Sequence, residues 1–319
     1  MSELKINKNR NLKDPQYSFL GIKMIIEDIK TLPKWFKWMM LSGSVLVMFF
    51  NFFAISGYTP ENIDPSYFEG IGRWFSPVQE YWKAMDVGTM LGARGDENLA
   101  MIATTFYSLN GVISITGLIA VCLIVYDKKS QFFWLLINAT AYAPFALMMG
   151  YAGDFFLNII LAAIAIPGWY LITFKFKHNS IRNYSKTFKL SFWLTILLVA
   201  ALSVFLWLMF IPQMVWLINP NYNYPLWSAK HIFDGLLCGV RLVGGGMQLV
   251  NFNEQFITWI LVDAINFIKY AGAIEGIISV NMMIQFGVWF ASSSIGMWER
   301  NLKETALPFF NKILKTKNN

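Results

Sequence analysis

Between His231 and Gly272 two apolar runs carry Asp234, Arg241, Gln248 and Asp263. Each run is about long enough to cross a bilayer, and a charge near the middle of such a helix costs about 2.5 to 3.5 kcal/mol on insertion scales. A chain keeps such residues where they face protein or water. Arg241 lies about halfway along the first run and Asp263 about halfway along the second. Antiparallel neighbours would therefore bring the two to similar depth, and these residues predict the wall of a polar cavity near the membrane midplane. More polar side chains sit in neighbouring apolar stretches at helical spacing: Asn138 with Tyr142, Trp259 with Asp263, and Asn281 with Gln285, each pair at i, i+4, plus Asn158. Any one Asn or Gln is equally well explained by a hydrogen bond that joins two helices; together they exceed what packing needs.

Each candidate has a plainer reading beside it. Asp263 and Arg241 would neutralise one another as a structural ion pair. Trp134 and Trp169 fall near span ends, where tryptophan anchors to headgroups, whereas Trp259 lies deeper, shares a face with Asp263 and is preferred as a stacking platform. Gly235, Gly239 and Gly244 to Gly246 suit close helix approach, and three glycines in a row also weaken a helix enough to form a hinge. Lys269 and Glu275 flank a tight turn and read as a solvated surface pair. Asp154 reads as a helix N-cap.

The elements that must position these residues follow from composition. Of 319 residues, 56% are apolar and only 14% charged, against about 25% charged in soluble domains, so the chain is expected to be an all-α polytopic membrane protein. Spans are predicted at about 38–56, 99–126, 132–150, 155–174, 190–212, 231–250, 256–270 and 274–296. Residues 1–35 hold seven Lys or Arg and no long apolar run, which predicts no cleavable signal peptide and a retained first span. An amphipathic patch at Phe19 to Ile29 suits a membrane surface. The loop up to Asn98 is acidic, while DKKSQ, KFKHNSIRNYSKTFK and the tail NKILKTKNN are basic. Eight spans with both termini cytoplasmic put every Lys-rich loop on one side, as the positive-inside rule requires. The net charge of +7 thus concerns topology, and nothing suggests a nucleic-acid surface. Cys122 and Cys238 both fall in apolar runs and read as packing residues, with no metal cluster or disulfide scaffold. No H-E-x-x-H, G-x-S-x-G, P-loop or G-x-G-x-x-G occurs, and an intramembrane aspartyl hydrolase would need an acid facing Asp263. The chain is expected not to be an enzyme and to need no cofactor; an enzyme or receptor is the distant alternative.

Residues 151–170 (YAGDFFLNIILAAIAIPGWY) and 270–289 (YAGAIEGIISVNMMIQFGVW) align at an offset of 119, which predicts two three-helix units of the same orientation joined by one helix. The order of elements, TGLIAVCLIVYDKKSQFFWLLINATAYAPFALMMGYAGDFFLNIILAAIAIPGWY, then GGMQ, then NEQFITWILVD, then KYAGAIEGIISVNMMIQFGVW, resembles the PnuC family of vitamin-precursor transporters across about Thr105 to Arg300. The family's Trp-x-x-x-Asn pattern appears as Trp259 to Asp263, with Asp in place of Asn, Phe256 in place of a tryptophan, and Asn251 and Asn253 in place of basic residues.

The resemblance implies a SWEET-like 3+1+3 helix arrangement, and the span reading adds one extra N-terminal transmembrane helix outside the resembling region, about 8 spans in all. It divides the chain into a cytoplasmic N-terminus, extra helix and external loop (1–98), a first bundle (99–174), a linker helix and loops (175–230), a second bundle (231–298) and a basic tail (299–319). It further implies a homotrimer in a bacterial inner membrane that takes up nicotinamide riboside by facilitated diffusion. The same fold carrying thiamine, riboflavin or a deoxynucleoside is the nearer alternative. A nucleoside-like vitamin offers an aromatic base to stack and hydroxyls to hydrogen-bond. The expected binding residues are Trp259, Asp263, Gln248, Asn138, Tyr142, Asn158, Asn281, Gln285 and Arg241.

Overall fold

Each predicted span becomes one helix. The computed structural model describes residues 14–55, 75–77, 97–148, 150–175, 180–181, 184–273 and 279–303. After a short helix α1 (Ile25–Thr31) come α2 (Lys34–Phe52), α3 (Glu97–Val125), α4 (Gln131–Met148), α5 (Ala152–Phe174), α6 (Lys186–Ile218), α7 (Ala229–Leu249), α8 (Gln255–Tyr270) and α9 (Val280–Met297). Among the described residues five of them, α2, α4, α5, α6 and α7, are long and apolar enough to cross a membrane. The first span ends earlier than expected: residues 53–55 form β1 (Phe53–Ile55), which pairs antiparallel with β2 (Phe75–Pro77). Helix α8, with 16 residues, rises only about 24 Å, so it falls short of a full bilayer crossing unless neighbouring turns extend it.

Helix starts are set by polar caps, several of them supplied from another element. Ser185 and Ser228 cap α6 and α7 through their own hydroxyls, accepting from the backbone N–H of Phe188 and His231. Helix α5 begins after Tyr151, which gives no side-chain cap; Asp234 on α7 fills that role, accepting from the N–H of Gly153 at 2.8 Å and of Asp154 at 3.1 Å. Asp28 does the same before α4, accepting from the N–H and hydroxyl of Ser130. The expected surface patch at Phe19 to Ile29 thus has two sides. Phe19, Ile22 and Ile26 are exposed while Leu20 and Asp28 are buried against the bundle, and Gly21, at φ +70°, lies where a Cβ would strike the Lys129–Ser130 backbone.

Six helices close into a ring, in the order α3, α4, α5, α7, α8, α9 and back to α3. Helix α2 packs outside on α3 and α9, and α6 packs outside on α7 and α5. Exchanging the two halves therefore maps α2 onto α6: the N-terminal helix stands to the first three ring helices as α6 stands to the second three. The Tyr-Ala-Gly pair that suggested the repeat falls at the same junction in both halves, between the second and third ring helix: Tyr151 directly precedes α5, and Tyr270 ends α8 ahead of α9. The duplication lies in helix packing. On α6, leucines 190, 194, 197, 198 and 202 face outward, as expected of a helix apolar all round that borders lipid. Gly235 and Gly239 let α7 approach α6, since a Cβ there would lie within 2.6 Å of Leu208 and 2.5 Å of Val204. Gly244 similarly admits Thr258 of α8, whereas Gly246 faces no atom within 4 Å; helix α7 runs unbroken through all three glycines.

Candidate functional site

The polar residues inside the ring separate into two layers. The first surrounds a cavity of about 40 Å³ lined by Gln248, Phe256, Trp259, Asp263, Trp289 and Ser293, with Ala120, Val121, Ile124 and Leu135 completing its walls. Gln248 lies in the last turn of α7 and Trp259 one turn into α8. The cavity therefore sits toward the α7–α8 turn rather than at mid-depth as expected. Asp263 is buried and accepts one hydrogen bond, from the Ser293 hydroxyl at 2.9 Å. Its other oxygen has no partner, nor do Trp259 Nε1, Trp289 Nε1 and Gln248 Nε2. A buried polar atom left unpaired costs about 1 to 3 kcal/mol, which marks this cavity as the candidate binding site.

Helix α9 carries this layer onward. Asn281, Gln285, Trp289 and Ser293 follow one another at four-residue steps, all buried, which places them along one face. Both polar atoms of Asn281 and of Gln285 lack partners. Opposite the stripe, Gly117 of α3 leaves the space that Trp289, Asn138 and Gln285 share, with their atoms 2.7, 2.9 and 3.0 Å from where its Cβ would be. Asn138 is held there by donating to the Ile113 carbonyl. Sequence reasoning found Asn281 and Gln285 but missed Trp289 and Ser293, although the same i, i+4 step continued twice more would have reached both.

The second layer is ionic and lies toward the opposite ends of α5 and α8. Asp154, in the first turn of α5, binds Arg241 of α7 through one oxygen and Lys269 of α8 at 2.8 Å through the other. All three are buried. This corrects three expectations. Arg241 does not pair with Asp263. Asp154 is a bridging carboxylate instead of an N-cap, the cap being Asp234. Lys269 is not on the surface; its ammonium lies 3.3 Å from the centroid of the Tyr151 ring. The signal was available as four ionisable residues in apolar runs, but their partners come from helices distant in sequence.

Asn158 accepts from Arg241 at 3.3 Å and donates to the Asp154 carbonyl. Tyr142 shares a 2.7 Å hydrogen bond with Tyr270 and sits under Arg241. Arg241, Asn158 and Tyr142, expected in the binding site, thus belong to a network that ties α5 to α7 and α8. Asp154, Asp234 and Cys238 come within 4.8 Å of one another, but Arg241, Lys269 and two backbone N–H groups already satisfy the two acids. Cys122 and Cys238 are buried free thiols. Trp134 and Trp169 are half-buried, and Trp169 meets Phe19 edge-on at 5.4 Å.

The helical ring thus encloses a cavity lined by aromatic side chains, a carboxylate and an amide. Comparison with known proteins then decides the family: the profile of the nicotinamide mononucleotide transporter family matches residues 108–300. The chain belongs to that family. It is accordingly a multi-pass membrane transporter, and the matched region takes in both layers described above. Among solved structures, the crystal structure of the vitamin B3 transporter PnuC aligns at 18% identity and a TM-score of 0.47, covering 67% of this chain and 89% of that one. No curated protein gives a significant match.

Proposed function

We propose that the protein takes up nicotinamide riboside, or a nucleoside of the same kind, by facilitated diffusion through alternating access. The carrying observation is the cavity between α3, α7, α8 and α9, where two tryptophans, a carboxylate and an amide present unpaired polar atoms. Stacking on Trp259 or Trp289 holds the base, while Asp263, Gln248 and Gln285 meet the amide and ribose hydroxyls. Among the described residues no basic side chain lines the cavity. That favours the riboside over its phosphorylated form.

A cavity of about 40 Å³ takes a few waters, whereas ligand sites measure roughly 300 Å³ or more. The conformation is therefore closed, and loading requires ring helices to part. The second layer ties α5, from the first half, to α7 and α8 of the second, so it serves as the barrier on that side. The ring with α6 as connector supports the SWEET-like 3+1+3 reading with α2 as the eighth span. Basic loops support a cytoplasmic position for both termini, and the family resemblance implies a bacterial inner membrane and a homotrimer. Calorimetric titration of purified protein with nicotinamide riboside should give saturable binding that Trp259→Ala abolishes, and proteoliposomes should show counterflow without ATP or an ion gradient. Absence of binding by folded protein would overturn the substrate assignment.

A further inference from the structure

Among the described residues, the six ring helices carry three buried acids, Asp154, Asp234 and Asp263, and two buried cations that are both engaged with the first of them. Asp154 takes Arg241 and Lys269 together. Asp234 accepts from two backbone N–H groups at the positive end of α5. Asp263 has only the neutral hydroxyl of Ser293, its Oδ1 is unpaired, and the residue lines the cavity. It is 1% exposed, so water does not screen it. Two tryptophans share its cavity, and tryptophan is the side chain whose ring face attracts a cation most strongly. A carboxylate without a cation, beside indole rings, is the recognition chemistry of an aromatic ring that carries a permanent positive charge.

We propose that Asp263 is the counter-charge for such a ligand and sets the protein's preference for cationic over neutral aromatic nucleosides. The inference deepens the uptake reading and rests on the same cavity. An N-ribosylated pyridinium fits it: the ring nitrogen is quaternary, cannot lose its charge, and lies within a ring that stacks. Opposite charges about 5 Å apart at an effective dielectric near 20 interact strongly enough to shift affinity by up to about 300-fold before desolvation, so a preference between about tenfold and a hundredfold is expected.

The test titrates wild type, Asp263→Asn and Asp263→Glu with four probes: nicotinamide riboside, its neutral 1,4-dihydro form, thiamine, whose thiazolium is cationic, and neutral riboflavin. Tryptophan fluorescence melting checks folding. Wild type should bind nicotinamide riboside at least about tenfold more tightly than the dihydro form; Asp263→Asn should erase that difference and Asp263→Glu should keep part of it. Should Asp263→Asn fail to fold, the wild-type preference and Asp263→Glu still decide. Equal wild-type affinity for the charged and neutral forms, or a preference unchanged in Asp263→Asn, overturns the inference while leaving riboside uptake standing. Binding of thiamine alone, with the same dependence on Asp263, overturns the riboside assignment while the counter-charge stands. Folded wild type that binds neither cation overturns both.

Discussion

Replacing Asp154 with Asn removes one charge at almost constant volume. In the native ring, Asp154 and Asp234 balance Arg241 and Lys269, two negative groups against two positive, all buried. Asp154→Asn leaves a net charge of +1 in that layer and strands the Lys269 ammonium, which is 1% exposed and donates its one side-chain hydrogen bond to Asp154. Breaking a buried pair by removing one partner costs about 3 to 5 kcal/mol. For a large chain each kcal/mol moves the melting point by roughly 2 °C, so a drop of roughly 6 to 10 °C is expected. Adding Lys269→Met restores neutrality, with Arg241 against Asp234, and keeps a side chain of similar length on the Tyr151 ring. The double variant should therefore melt above the single one. Tryptophan fluorescence unfolding in detergent reads this directly from the chain's 13 tryptophans. A single variant melting within about 2 °C of wild type, or a double variant no better than the single, would refute charge balance as the reason these residues lie together.

Gly117→Ala would put a Cβ 2.7 Å from Trp289 and 2.9 Å from Asn138; overpacking of this kind costs about 1 to 3 kcal/mol, so lower melting and weaker ligand titration are expected together. Gly246→Ala, with nothing within 4 Å, should leave both unchanged or raise the melting point, since alanine favours helix by about 1 kcal/mol over glycine. Asp28→Ala removes the cap on the Ser130 N–H and hydroxyl, costing about 1 kcal/mol; hydrogen exchange should speed up at the start of α4 while ligand binding is retained.

The alternation of long apolar runs with basic and acidic loops determined the helices by itself, because a bilayer demands about twenty apolar residues per crossing whatever the fold. Every predicted span has its helix, with ends moved by a few residues where caps such as Asp28 and Asp234 come from other elements. Period 3.6 also exposed Trp259 with Asp263 and Asn281 with Gln285 as faces of single helices. Partner choice lay beyond it. Arg241 and Asp263 are 22 positions apart on adjacent helices, yet Arg241 bonds to Asp154, 87 positions away. Charges buried in apolar surroundings are settled by whichever opposite group the ring brings within reach. Lys269 looked like a turn residue because sequence shows only its neighbours, and the packing of α5 against α7 placed Asp154 beside it. Depth was decided likewise: Asp263 is central to its own run, but the cavity forms where the end of α7 and the start of α8 leave room around two tryptophans. Periodicity acts along one helix, whereas the identity of a buried group's partner is a property of how helices close on one another.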